Sequence, residues 1–195
     1  MARRMGSHSE ITGPRIRAAA LRLFARRGFA AVSMRQIAAE VGVQAGALYL
    51  YTPDKEALLH DLLRVHMEDM IATFDARPAP ATPVARLEDF ARFHIGYNLD
   101  HAEAVFLSYM ELRNLSAGNF ATVEALRHAY EDRLSAILSA GQAAGTFHLP
   151  DLRLATMAII AMLNGVNIWF RESGRLDRAG VAGIYWDMVR KAVSA

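Results

Sequence analysis

The sequence predicts an all-α protein with a small helix-turn-helix head at its N-terminus and a larger helical domain behind it. Apolar residues recur at helical spacing almost throughout, and no stretch alternates apolar and polar residues for long enough to argue for a sheet. Two helix-start signals follow one another closely, at Ser33–Gln36 and at Thr52–Pro53. The charge is also divided: residues 1–55 hold nine Arg and Lys against three acids, net +6, whereas residues 56–195 hold thirteen against seventeen, net −4. A basic head points to a polyanionic partner, and the remainder does not.

The elements follow in order. Residues 1–10, "MARRMGSHSE", read as a flexible basic arm, and the lack of an apolar stretch after its arginines argues against a secretory signal. Pro14 is expected to open the first helix, with Ile16, Ala20, Leu23 and Phe24 on one face and Arg15, Arg22 and Arg26 on another, and Gly28 ending it. Ser33 and Gln36 make a capping box, and Val32 with Ile37 a hydrophobic staple, so a helix should begin at about Met34. Gly42 interrupts it and a short helix follows from about Gln44. Thr52 is expected to cap the next helix with Pro53 in its first position, Asp54 and Glu56 favouring its positive end, and the helix running to about Phe74. "RPAPATP", Arg77 to Pro83, is a surface connection. Beyond it, helices are expected over 84–99, 101–115, 119–144, 152–172 and 177–193, with breaks at Gly145, Pro150 and Gly174.

Within residues 33–52 the spacing Ala38-x3-Gly42-x5-Leu48 suits a helix-turn-helix. A small residue admits the second helix, glycine permits the turn, and an apolar residue packs back on the pair. Ile37, Val41 and Val43 complete a miniature core. The segment "SMRQIAAEVGVQAGALYLYTPDKEALL", residues 33 to 59, resembles the DNA-binding segment of the TetR (tetracycline-repressor-like) family, with the likeness extending over about residues 11–65. That resemblance implies a homodimer, a three-helix DNA-binding head over 11–55, a linking helix over 56–77, and an effector-binding and dimerisation domain over 84–195.

Carried over position by position, Ser33 and Arg35 match the start of the first motif helix, where phosphate is met. Gln44, Ala45, Gly46 and Ala47 match the exposed start of the reading helix, Tyr49 the family's tyrosine, and Lys55 its lysine after the motif. Tyr51 stands where a histidine is common and Thr52 where an aromatic is common; both complete the expected DNA-binding set.

The stretch "VGVQAGALYLY", Val41 to Tyr51, carries no charge, and an uncharged stretch of this length is ordinarily a buried helix. Gly42 and Gly46 would weaken such a helix, and Gln44, Ala45 and Ala47 are too small or polar to require burial when Val43 and Leu48 already supply a packing face. Phosphates are then expected to fall to Arg35, Lys55, the first-helix arginines or the arm's Arg3 and Arg4. Each first-helix arginine reads equally well as part of a solvated face. Gln44 suits adenine, the alanine methyls suit thymine methyls, and Tyr49 and Tyr51 suit phosphates.

The last two helices, joined by "ESGRLD", should be antiparallel neighbours. Val181, Ile184, Tyr185, Met188 and Val189 share a face of the later one, and pairing with a second chain, eased by Ala158, Ala161 and Gly165, would form a four-helix interface. Two reading heads so paired imply a palindromic double-stranded operator. The effector site implied by the family draws on Phe93, Tyr97, Phe106, Tyr109, Met110, Arg113, Tyr130, Met162, Trp169 and Arg171, although aromatic and methionine stripes at this spacing are more often plain core. "WFRESG", Trp169 to Gly174, resembles a helix end in TetR-like regulators that respond to acyl-CoA compounds. Arg113 and Arg171 would then meet phosphate or carboxylate; Arg171 reads equally as a surface helix end.

Other chemistries find no support. There is no cysteine, which fits a reducing cytoplasm. No phosphate loop, nucleophile elbow or His-Glu zinc motif occurs, so no catalytic residue, metal or cofactor is expected. His94 and His101 could share a helix face but lack carboxylates at ligand spacing, and they read as ordinary histidines. The apolar stretch Thr156 to Phe170 contains Asn164 and Asn167 and falls short of the roughly 20 apolar residues of a membrane span. The expected function is a DNA-binding repressor released by a small molecule, an acyl-CoA or hydrophobic carboxylate. An activator of the same fold, and a helical enzyme or carrier for an anionic ligand, are the alternatives.

Overall fold

The computed structural model describes residues 6–194. In chain order the helices are α1 (Gly6–Arg27), α2 (Met34–Val41), α3 (Ala45–Leu48), α4 (Lys55–Asp75), α5 (Pro83–Asp100), α6 (Ala102–Met110), α7 (Ala117–Ala143), α8 (Leu152–Asn164), α9 (Val166–Trp169) and α10 (Arg178–Val193), with a 3-10 turn at Leu112–Asn114. Among the described residues there is no strand. Arg3 and Arg4 of the expected arm lie outside those residues. The chain forms two compact units: one takes the residues up to His66 together with Glu103–Glu124, the other Met67–Ala102 together with the residues from Ala125 onward.

In the first unit, α1 buries Ile16, Ala19, Ala20 and Phe24 against Ile37, Ala38, Val41 and Leu48 of the motif and Leu59 and Leu63 of α4. Leu107 and Val123 join the same core, so α6 and the start of α7 also pack here. The capping box at Ser33 is formed: Gln36 donates its N–H to Ser33 Oγ at 3.3 Å, and Ser33 donates its own to Gln36 Oε1 at 2.7 Å. Gly42 ends α2 at φ 78°, with its N–H on Ala39 O and that of Val43 on Ala38 O, the paired bonds of a Schellman stop. A Cβ at Gly42 would meet nothing within 4 Å. Gly42→Ala is therefore expected to lose only the left-handed backbone preference, about 1 kcal/mol, read as a shift in the urea midpoint at constant slope.

Three expectations about element ends need correction. α1 begins at Gly6, with Pro14 inside it: nothing in residues 6–13 breaks a helix, and a proline there forfeits a single intrahelical bond. α4 begins at Lys55, because Asp54 Oδ1 accepts the N–H of Ala57 at 2.8 Å and is the cap, while Thr52 turns its hydroxyl onto Asp54 O at 3.0 Å. The helix expected over 152–172 is interrupted by a turn at Gly165 and ends at Trp169.

In the second unit α5 is central, packing on α8 and α10, with Leu87, Phe90, Ile95, Leu134, Leu138, Leu163, Val181 and Val189 buried together. Thr82 and Asp177 cap α5 and α10 through their side chains. The N–H of His148 on Val193 O at 2.8 Å fixes the end of α10. Because α8 runs on through the helical Gly165 into α9, Leu152–Trp169 is longer than the sequence run suggested. By length and composition alone it could cross a bilayer, a property that the core or paired helices of soluble proteins share.

Candidate functional site

The packing side of the helix-turn-helix is closed: Ile37 and Leu48 are fully buried and Val41 nearly so. Its other side is open. Gln44, at the start of α3, is exposed and makes no side-chain cap bond; Gly46 is exposed, and Ala45 and Ala47 are half-buried. The following turn presents Tyr49 (56% exposed), Leu50 (83%) and Tyr51. Ser33 and Arg35 are exposed at the start of α2, Ser33 already occupied by its capping box. Leu50 was assigned no role from the sequence. Its exposure follows from α3 ending at Leu48, after which the chain turns.

Two members of the expected set are engaged within the fold, Thr52 buried and Lys55 half-buried. Thr52 is 7% exposed and spends its hydroxyl on Asp54 O. Lys55 Nζ donates to Phe29 O and Val32 O, both at 2.9 Å, and sits 4.2 Å from the centroid of the Phe29 ring. Its ammonium thus braces the turn between α1 and α2. The same turn is held from its donor side: Glu111, buried at 6% exposure, accepts the N–H of Phe29 at 3.1 Å and the amide of Asn114 at 2.7 Å. Glu56 accepts the N–H of Ser116 at 2.6 Å and the amide of Asn119 at 2.9 Å, and these bonds hold its carboxyl below the ordinary range.

The first-helix arginines divide. Arg15 donates to Val41 O at 2.8 Å, Arg22 pairs with Glu40 at 3.4 Å, and Arg26 approaches Glu103 at 3.9 Å. Of these, Arg15 serves the fold, because it satisfies a carbonyl at the end of α2.

The expected effector residues fall in both units. Phe106, Tyr109 and Met110 are exposed on α6, and Arg113 is exposed on the 3-10 turn. In the second unit Phe93 and Tyr97 lie 5.5 Å apart and are buried, while Phe74 packs on Phe90, Phe93 and Tyr130. Met162 packs against that core. Trp169 donates to Tyr185 OH at 3.2 Å and stacks on its ring. Arg171 turns its guanidinium back onto Phe170 O and Ile168 O, closing the end of α9, which is the helix-end role.

A buried polar group lies among these aromatics. His94, 2% exposed, places Nδ1 3.1 Å from Tyr130 OH and Nε2 2.9 Å from both Asn164 Oδ1 and Asn98 Nδ2. Burial lowers its pKa to about 4, so the imidazole is neutral near pH 7. The histidine that the sequence offered as an ordinary one is a hydrogen-bonded core residue, and its partners come from α5, α7 and α8. Among the described residues no group of three or more metal-binding side chains occurs.

Comparison with known proteins finds two family matches, the second of which spans Glu103–Glu124 of the first unit as well as most of the second. Residues 16–62 match the family described as bacterial regulatory proteins, tetR family, and residues 80–193 match the tetracyclin repressor-like C-terminal domain. The HTH-type transcriptional repressor KstR2 of Mycobacterium tuberculosis is 28% identical over 86% of this chain and 85% of its own length. A tetR-family regulatory protein from Rhodococcus RHA1 superposes with a TM-score of 0.89 at 28% identity, covering 95% of this chain and 98% of that one. AibR, solved with isovaleryl coenzyme A and operator DNA, superposes with a TM-score of 0.79 at 25% identity, covering 90% and 97%. With more than half its length matched by the C-terminal domain and its helix-turn-helix matched separately, the chain belongs to the TetR family and is a DNA-binding transcriptional regulator rather than an enzyme.

Proposed function

We propose that this protein is a cytoplasmic, homodimeric repressor that holds a palindromic operator through the open face from Gln44 to Tyr51 and releases it when a small molecule occupies the C-terminal domain. The observation that carries this reading is the asymmetry of the motif, whose apolar side is sealed while its uncharged polar and aromatic side faces solvent. Gln44 offers the amide that pairs with adenine, and Leu50 and Ala47 offer methyl groups to thymine. Arg27 at the end of α1 and Arg35 in the first turn of α2 are exposed and serve the phosphates, together with the tyrosine hydroxyls.

Dimerisation follows from surface chemistry. Leu154, Met157, Ala158, Ala161 and Ile168 (79% exposed) form an apolar stripe along α8 and α9, and Ile184 and Met188 form another on α10. Apolar stripes on neighbouring helices fit a second copy of the same helices, and the apolar length of Leu152–Trp169 is then an interface. Two heads about 34–36 Å apart would meet successive major grooves. A ligand favouring another separation would release DNA by shifting the population of dimers. AibR's complex with isovaleryl coenzyme A supports an acyl-CoA as the class of effector, with a hydrophobic carboxylate as the simpler relative.

The test uses two variants on selected operator sequences. Gln44→Ala should keep its fold and lose preference at one base pair per half-site, by about 1–3 kcal/mol. Ile168→Asp should sediment as a monomer and lose the operator. A dimeric Ile168→Asp, or an unchanged base preference in Gln44→Ala, would contradict the proposal.

A further inference from the structure

The glycine stops that end α1 and α2 are closed differently. At Gly42 the stop is self-contained, since Val43 returns its N–H to Ala38 O at 3.0 Å. At Gly28, φ 80°, the glycine N–H is returned to Phe24 O at 2.9 Å. The N–H of Phe29, which a Schellman stop would turn back onto α1, goes instead to Glu111 Oε1 at 3.1 Å. Glu111 therefore completes the end of α1 from 82 residues away. The turn that follows leads into α2, and its carbonyls at Phe29 and Val32 are held by Lys55.

Glu111 belongs to residues 103–124, which lie within the C-terminal family match and yet pack in the first unit. Several contacts fasten that segment there. Leu107 and Val123 are fully buried in the core around the helix-turn-helix. Glu56, in the first turn of α4, accepts the N–H of Ser116 and the amide of Asn119. Asn114 fixes Glu111 itself, donating to its backbone O at 3.3 Å and to its Oε2 at 2.7 Å. Glu111 is 6% exposed, and the donors shown on its carboxyl group are neutral. A carboxylate at the negative end of α1, held by neutral donors, is one that packing alone would exchange for an apolar residue. What the glutamate adds is a fixed place for Phe29 N–H, and with it the angle at which α1 hands the chain to α2.

We propose that Glu111 is a positioning residue for DNA reading: it acts through the turn between α1 and α2, and holds α2 and α3 in the orientation that presents Gln44 to Tyr51. The proposal rests on the reading of that face as the DNA-binding one. Without this latch the turn samples other geometries, and the fraction of heads ready to bind falls. Apparent affinity falls by the same factor. The expected sign is opposite to that of simple electrostatics. Removing an acid from a basic head raises DNA affinity when charge alone acts, whereas loss of the latch lowers it. The family match at residues 16–62 thus leaves out a residue on which reading depends.

The test compares the full-length protein with Glu111→Met and Glu111→Gln. Methionine keeps the stem and removes both acceptors; glutamine keeps one oxygen for Phe29 N–H and, like methionine, removes the charge. Operator affinity is measured by fluorescence anisotropy, on a fragment selected with the unchanged protein and at a temperature well below every unfolding transition. Glu111→Met should bind about tenfold more weakly, and its Phe29 amide, followed in 15N-labelled protein, should exchange about tenfold faster. Glu111→Gln should stay within about twofold of the unchanged protein in both measurements. If Glu111→Met does not fold, Glu111→Asp, which keeps the charge and shortens the reach, takes its place with the same expected loss. A Glu111→Met variant that binds as tightly as the unchanged protein or more so, even with a lowered unfolding midpoint, would overturn the proposal and leave Glu111 a purely structural residue. An equal loss in the methionine and glutamine variants would overturn it in favour of charge. Operator bound equally by the unchanged protein and Glu111→Met sinks the positioning role alone, whereas an unchanged protein that binds no operator sinks the repressor reading and the positioning role together.

Discussion

Replacing Lys55 with Met is expected to destabilise the N-terminal unit by about 2–3 kcal/mol while leaving the salt dependence of DNA binding unchanged. The ammonium makes two charge-assisted bonds to carbonyls of the turn between α1 and α2 and lies over Phe29. Methionine keeps much of the apolar stem and removes both bonds, so Phe29 O and Val32 O lose their donor. A lysine whose task was a phosphate contact would behave in the opposite way. Its loss would change stability by less than about 0.5 kcal/mol and would reduce the slope of log affinity against log salt by about 1. Urea denaturation and a salt titration of operator binding distinguish the two roles.

The second large effect is in pH. His94 has its pKa lowered from 6.5 to about 4, chiefly by burial, so between those values the unfolded chain binds a proton that the folded chain refuses. Stability therefore rises with pH through this window, is lost as pH falls from 6.5 towards 4, and is unaffected by His94 above it. The slope is roughly 1.4 kcal/mol per pH unit, or about 2–3 kcal/mol between pH 6.5 and 4.5. Glu56, Asp75 and Asp187 are held low by hydrogen bonds from Ser116, Arg133 and Lys191. Their contributions are present above their unfolded values, 4.5 for the glutamate and 3.8 for the aspartates, and fade below them, so they leave the upper part of the window to His94. His94→Gln should flatten the stability profile between pH 6.5 and 4.5, measured by denaturation at stepped pH.

What the sequence made legible was local. The Ser33–Gln36 box and the Gly42 stop involve residues within one or two turns of each other, and their chemistry has few alternatives. Thr52 was expected to be the cap, and only the path of the turn shows that the oxygen meeting the N–H of Ala57 is that of Asp54. Lys55 was beyond reach for another reason. Its partners are backbone carbonyls 26 and 23 residues away, and a carbonyl has no signature in a sequence. Glu111 reaches Phe29 across 82 residues, and nothing marks that glutamate among its neighbours. The same holds for His94, which meets Tyr130 and Asn164 at separations of 36 and 70. Each helix shows one or two polar residues in an apolar face, and their meeting is a property of packing. Leu50 was assigned no role from the sequence, and its exposure follows from the end of α3 at Leu48, after which the chain turns.

The central claim is that paired heads read DNA through the face from Gln44 to Tyr51 and release it to an effector. Footprinting of the purified, effector-free protein on its own upstream DNA at low salt tests it most directly, with decanoyl-CoA added in a second lane. The account predicts two protected half-sites related by a two-fold axis, centred about one helical turn apart, and cleared by the thioester. Protection with no symmetry, or a symmetric footprint that Gln44→Ala and Tyr49→Ala together leave unchanged, would contradict it.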